Sequence, residues 1–446
     1  MSQTAVSFKK LRKATKQQPY SFPTTANEIS NFPEVEVEEN ARGTRPILCE
    51  EVTVLMRNFI SYQQVHGSPD ERKLYKKMDV EKLVTRLLCQ RPLVFFCPSD
   101  TFLLPDGKRG SGWPSGLPLE HFLTYNEIAI AALIGMSTPS HFINEGGRFN
   151  QGRVGAPGSF TPRGVYCGLV GARFEKPNEM EWKHMIIQEE QNTLENGYGS
   201  AAQQKAHNSG LISRQAELLQ IWAQLYDSRL EDGEFGFPLY QEALEHPDLY
   251  PPIGSSRAKL MNGSVYRRRL EMVVRPFLCD ANARGAMAQQ QVYAHVVGLG
   301  LGVWQESPRQ AHWMMEVYAN LLQQLELPFL HTVDFSWFSP DCPETFRNCR
   351  EGQEEKATNP HLHIEFSKRN PADPLPDGLL LVAMYAWDGN SYPGNEYWMG
   401  MLTASGDPAA ASCSTIPWLQ NGDINPNVSG PAAVQYDSKG VQSRLL

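Results

Sequence analysis

The sequence predicts an α/β protein in which helices cover a mostly parallel or mixed sheet. Two observations carry this. Short apolar, β-branched runs alternate with longer runs of helical periodicity from residue 164 onward. Within them, residues 292–333 spell a strand, a glycine turn, a helix and a returning strand, a βαβ unit with a parallel pair. The 446 residues, 41% of them hydrophobic, supply a large core and room for two or three domains of roughly 150 residues.

Residues 1–40 pass from a basic, Ser/Thr/Gln-rich stretch to the acidic 34–39 run, with Pro19, Pro23 and Pro33 between, and predict a mobile tail. Residues 41–140 predict an N-terminal helical region. There Leu74, Met78, Leu83 and Leu87 recur at helical spacing after Pro69-Asp70, and Pro92 stops the pattern. Gly146, Gly147, Gly152, Gly155, Pro157, Gly158 and Pro162 make 135–164 an entry loop into a second domain, residues 141–446. Beyond it, 164–170 reads as a buried strand. Residues 211–226 read as a helix with Ala216, Leu219, Trp222 and Leu225 on one face. Residues 270–278 and 291–297 read as strands. Ser307 would cap the next helix and Pro308 open it, with Met314, Val317, Leu321 and Leu325 along its face. Strands at 329–333, 361–366 and 379–387 and a helix at 408–415 complete the pattern.

Composition excludes some function classes. Lys and Arg number 41 against 49 Asp and Glu, a net charge of −8, so a nucleic acid duplex would be repelled. The strongly apolar runs, such as 379–387, fall far short of the roughly 20 residues that span a bilayer, so no membrane partner is expected. Eight cysteines without a CxxC pair point to reduced thiols in the cytoplasm. The lysines near the N-terminus precede no apolar segment of a secretory signal.

Two loops have the composition of a site. Gly298, Gly300 and Gly302 alternate just before a helix, which lets backbone N–H groups turn toward one anion such as a diphosphate. A tight strand-to-helix turn explains the same glycines. A dinucleotide site is weaker, because the spacing is GxGxG rather than GxGxxG. After the strand at 379–387 come Asp388, Glu396 and Asp407, among aromatics, amides and glycines. Such acids in one desolvated loop can diverge in pKa, as cleavage of a glycosidic C–N or C–O bond requires. Each has a plain alternative: Asp388-Gly389 as a turn, Asp407-Pro408 as a helix cap, Glu396 as a solvated rim charge.

Other signals are weaker. His361 and His363 share a strand face without an evident third metal ligand. Gln188-Glu189-Glu190 is similar to the acidic signature of poly(ADP-ribose) glycohydrolases, but the preceding triple glycine is missing, and a charged helix face is the better reading. Arg267, Arg268 and Arg269 read as a surface patch before a strand.

Three segments together resemble the macrodomain-like ADP-ribosylhydrolases of the MavL type: 168–175 (GLVGARFE), 296–305 (VVGLGLGVWQ) and 387–398 (WDGNSYPGNEYW). The resemblance covers about 140–430 and implies a macrodomain-like mixed sheet flanked by helices. It implies removal of ADP-ribose from modified arginine, including arginine of ubiquitin, with three catalytic acids falling at Asp388, Glu396 and Asp407. Glu396 departs from the family's aspartate by one methylene. Gly298, Leu299, Gly300, Gly302, Val303 and Trp304 would cradle the diphosphate, Asn390 would reach the distal ribose, and the Arg173-Phe174-Glu175 strand end would lie near the adenine. No cofactor and no obligatory metal are expected. The partners would be ADP-ribose and an ADP-ribosylated protein. The alternatives are a reader that binds ADP-ribose without cleaving it, and a hydrolase of another ADP-ribosyl linkage.

Overall fold

The computed structural model describes residues 6–113, 117–254, 258–349 and 358–445. Among them, nine strands form one mixed sheet: β1 (Arg45–Cys49), β2 (Gly135–His141), β3 (Arg163–Leu169), β4 (Gln291–Val296), β5 (Leu330–Ser336), β6 (His363–Ser367), β7 (Leu379–Ala386), β8 (Val434–Tyr436) and β9 (Gln442–Arg444). Their order across the sheet is β6-β5-β4-β7-β3-β2-β1-β8-β9. β6, β5, β4, β7 and β3 run parallel to one another, as do β1 and β8, and the remaining pairs are antiparallel. The α/β expectation holds.

β7 decides where the site lies. It is nearly all apolar, as a strand covered on both faces must be, and it inserts between β4 and β3. His295 of β4 pairs with Ala383, and Leu169 of β3 pairs with Ala386. The carboxyl ends of three parallel strands therefore meet at one edge, the usual ligand position in such sheets.

Before β1, helices α1 (Phe8–Lys16) and α2 (Glu34–Gly43) replace the expected mobile tail, whose first five residues lie outside the described part. Phe8, Leu11, Ile29 and Val37 are buried with Tyr397, Trp398 and Trp418 in one cluster. The apolar residues scattered among the charges are what binds this segment down. β1 itself, expected within a helical region, pairs with β2 and β8, so the sheet runs across the boundary placed at residue 141. The entry loop begins later than expected for the same reason: residues 135–141 are β2, buried at the sheet's centre.

α3 (Glu50–His66) and α4 (Val80–Cys89) supply the expected N-terminal helices, and α5 (Arg214–Tyr226) the next one. Residues 270–278 are a correction. They lie inside α6 (Gly263–Ala288), capped by Asn262, whose side-chain oxygen accepts from the Val265 N–H at 3.1 Å. A short, mostly apolar run suits a buried helix as well as a buried strand, and α6 is buried for most of its length. Arg267, Arg268 and Arg269 are paired rather than a free surface patch: Arg267 with Glu316, Arg268 with Glu271, and fully buried Arg269 with fully buried Glu181. Gln188 ends a short strand, so the acidic 188–190 run is no helix face. α7 (Arg309–Gln324) follows Ser307 and Pro308 and packs on α6. Among the described residues no helix is long and apolar enough to cross a membrane.

Candidate active site

The loops after β3, β4 and β7 converge. Arg173, fully buried, donates to the Asn390 side-chain oxygen and, at 2.7 Å, to Glu175, and its guanidinium lies 5.1 Å from the Trp304 ring centroid. One cation thus joins all three loops. Gly171 and Gly300 touch backbone to backbone, and a Cβ on Gly171 would sit 2.4 Å from the Gly300 nitrogen. Gly300 takes φ +67, a conformation few other residues tolerate.

Leu299 is buried and anchors the glycine loop, while Gly302 and Val303 face solvent. Within the loop the Gln305 N–H donates to the Gly302 carbonyl at 3.1 Å. Among the described residues no protein carbonyl takes the N–H groups of Leu299 to Trp304. Backbone donors left open beside a buried arginine have the character an anion needs.

The acids lie on the next two segments. Asp388 Oδ1 accepts from the N–H groups of Asn390 at 2.7 Å and Ser391 at 3.2 Å, which closes the turn after β7. Glu396 sits on the short helix α8 (Asn395–Trp398) and accepts from the Ser405 hydroxyl at 3.2 Å. Asp407 lies in the first turn of α9 (Gly406–Cys413), where Ser405 takes the cap position. Its Oδ1 accepts from the Gly394 N–H at 2.6 Å, across to the start of α8. The 20–32 strap fixes both helices: Tyr397 donates to Asn27 at 2.8 Å, and Asn27 donates to the Ala411 and Ser414 carbonyls at 2.7 and 2.8 Å.

Burial pushes all three carboxyls up from the ordinary carboxylate range. At Asp388 the rise is opposed by Arg173 and by the two backbone donors. Glu396 feels burial first, then relief from Ser405 and repulsion from Asp388. Asp407 goes well above its usual value, because the charges of Asp388 and Glu396 add to burial and only the Gly394 N–H opposes them. The structure therefore brings the three predicted acids into one interacting set. Within it Asp388 ionises more readily and Asp407 is held toward the neutral acid.

Two predicted contacts change. Asn390 is buried, with its amide engaged by Arg173 and, at 3.2 Å, by the Cys97 thiol, so it braces the turn. Phe174 turns into the core beside Trp182 and Tyr266. His363 stacks with His331, 4.8 Å between ring centroids, and among the described residues no group of His, Cys, Asp and Glu is placed to hold a metal ion. All eight cysteines are free thiols. Arg173 and Glu175, which the resemblance places with Phe174 near the adenine, pair with each other at 2.7 Å, and Ser405, given no role from the sequence, takes the cap position of α9.

Open backbone donors and three interacting acids thus lie on loops that one buried arginine ties together. The ADP-ribosylhydrolase MavL-like family model matches residues 9–440, so the likeness extends well before residue 140. Two Drosophila melanogaster relatives are similar over most of their length. ADP-ribosylarginine hydrolase CG3568 is 33% identical over 426 residues, covering 92% of this chain and 82% of the relative. ADP-ribosylarginine hydrolase CG2909 is 31% identical over 405 residues, covering 87% and 78%. The chain belongs to the MavL-like ADP-ribosylhydrolase family.

Proposed function

We propose that this protein hydrolyses the N-glycosidic bond between ADP-ribose and an arginine side chain, with Asp388, Glu396 and Asp407 as its catalytic acids. The observation that carries the reading is the interacting carboxyl set, on loops that Arg173 ties to the glycine loop with its open amides. Those amides and Trp304 suit the diphosphate, and the acids suit a cationic guanidinium and the positive charge that grows at the ribose anomeric carbon. A pure reader gains nothing from three acids beside an anionic ligand. Both relatives are named for the arginine linkage, which favours it over serine or glutamate conjugates.

In the reaction the water oxygen bonds to the anomeric carbon as the C–N bond breaks, and the bonding pair goes to the guanidine nitrogen. Ionised Asp388 stabilises the oxocarbenium-like centre. Glu396, partly open to solvent, takes the proton that water loses. The proton ends on the departing guanidine, whose pKa of about 12.5 or more makes it the strongest base present. Asp407, neutral, donates a hydrogen bond to the guanidine or to a ribose hydroxyl.

Purified protein should release ADP-ribose from ADP-ribosylated arginine, with ubiquitin so modified as the first protein carrier to assay, and not from serine or glutamate conjugates. Calorimetric binding of ADP-ribose without release would make it a reader, and release from the other linkages alone would overturn the arginine assignment. Activity should survive EDTA. Loss restored by Mg²⁺ would contradict a mechanism run by carboxyls alone. The free thiols accord with work in the reducing cytoplasm.

The contact between Gly171 and Gly300 gives a second test. Backbone faces backbone there, so an added methyl must displace the glycine loop. Gly171→Ala should weaken ADP-ribose binding by about 10–100-fold, read by calorimetry, with kcat falling less than KM rises.

A further inference from the structure

Arg91 reaches the acid turn from 300 residues away in sequence, just beyond the end of α4, and no motif singles it out. It is 4% exposed. Its Nε donates to the Leu87 carbonyl at 2.6 Å, its Nη1 reaches the Ser391 carbonyl at 3.4 Å, and its guanidinium lies 4.4 Å from the Trp387 ring centroid. Trp387 and Ser391 bracket Asp388, so one planar cation braces the turn at both ends. Nη2 has no protein partner, although it is buried, and neither have the Ser391 hydroxyl and the Trp387 indole N–H in the same turn. A buried guanidinium with an uncommitted donor is costly unless an anion compensates it. Burial lowers its pKa to about 10, with Asp388 pulling the other way, so it stays charged at neutral pH.

We propose that Arg91 is a positioning residue for the hydrolysis, clamping the 387–391 turn from beneath and keeping the Asp388 carboxyl in place and in its anionic form. The N-terminal region thereby completes the site. The proposal rests on the hydrolase reading above. The charged and titratable groups around the pair come from every neighbouring segment: Arg173 and Glu175 after β3, Cys89 at the end of α4, Tyr385 on β7, Tyr392 beyond the turn, and Glu396 and Asp407 on α8 and α9. The charge of Asp388 acts on Arg91, Arg173 acts on Asp388, and no cation is among the charges acting on Asp407. That difference separates the two acids.

The test is Arg91→Met beside Arg91→Lys, with two readouts. The first is the pH profile of kcat/KM on ADP-ribosylarginine. Arg91→Met should move the acid limb up by about one pH unit, a loss of about tenfold on that limb that shrinks as pH rises. Arg91→Lys should restore the limb's position while lowering kcat, because it lacks the planar stack on Trp387. ADP-ribose affinity should stay within about twofold of wild type. The second readout needs no turnover: the Asp388 carboxyl ¹³C shift, assigned by its loss in Asp388→Asn, should titrate higher in Arg91→Met than in wild type. A loss equal at all pH values, or an unmoved Asp388 titration, overturns the proposal. Wild-type protein that releases no ADP-ribose would fail the hydrolase reading alone, and the Asp388 titration would still decide the role of Arg91.

Discussion

Asp407→Asn is expected to lower kcat on ADP-ribosylarginine by about 10²–10⁴-fold while raising the unfolding temperature at neutral pH. Both effects come from one physical situation. The carboxyl is buried, accepts a single backbone N–H and feels the charges of Asp388 and Glu396, so its folded-state pKa stands well above the unfolded value. A carboxyl raised in this way costs stability as pH climbs from the unfolded value of about 3.9 toward the folded one. Asparagine keeps the acceptor for Gly394 and removes that cost, so its advantage should be absent in acid, grow through this window and reach about 1–3 °C. Asp388→Asn should lower turnover to a similar degree with a smaller gain in stability, since its carboxyl is also raised by burial but Arg173 and two backbone N–H groups oppose the rise. Thermal scans at several pH values, set beside single-turnover assays, separate the two. Equal thermal behaviour of both variants would mean that the acids do not differ as described.

The contrast between these two acids marks how far the sequence could be read. The candidate acids were visible because all three fall within twenty residues just after one strand, and local composition reports such a loop directly. The glycine loop was visible for the same reason. The bracing cations were not. Arg91 looks like any arginine before a proline, and it became part of the site only through a strand order that inserts β7 between β3 and β4 and a chain path that brings the end of α4 to the turn after β7. Asn390 and Phe174 changed role for a related reason. A polar residue in a site loop reads as a ligand contact, yet a buried arginine without enough acceptors takes the nearest amide first. The strand reading of 270–278 failed where helix and strand share a signature, in a short run dominated by Leu270, Met272, Val273, Val274, Phe277 and Leu278. The mobile-tail reading of 1–40 weighed charge and proline above Phe8, Leu11, Ile29 and Val37, whose spacing suits short helices docked on an aromatic cluster.

The largest stability effect should come from the other half of the sheet. Asp280 of α6 is fully buried and accepts from Arg45 Nε on β1 at 2.7 Å, Ser137 Oγ on β2 at 2.5 Å, Arg284 Nε at 3.3 Å and Tyr436 OH on β8 at 3.1 Å. Four elements are tied by one carboxylate. Burial alone would raise its pKa, but Arg45, Arg284 and the Ser137 hydroxyl overcome burial and hold it down at about 2. A carboxyl depressed in the fold contributes stability that is complete above the unfolded value of about 3.9 and is lost as pH falls toward the folded one. Asp280→Ala should therefore cost about 3–5 kcal/mol at neutral pH, because it leaves two guanidiniums buried without their partner. Urea unfolding at pH 7 measures this directly. The deficit should narrow as pH falls from about 4 toward 2, where wild type loses the same contribution. A constant deficit down to the acid end would show that packing around α6, and not the ionised Asp280, carries the cost. Because β1, β2 and β8 lie beyond β3 from the acid turn, Asp280→Ala protein that remains folded should bind ADP-ribose and cleave with near wild-type constants. Loss of fold and loss of chemistry would then be assigned to different carboxylates of one sheet.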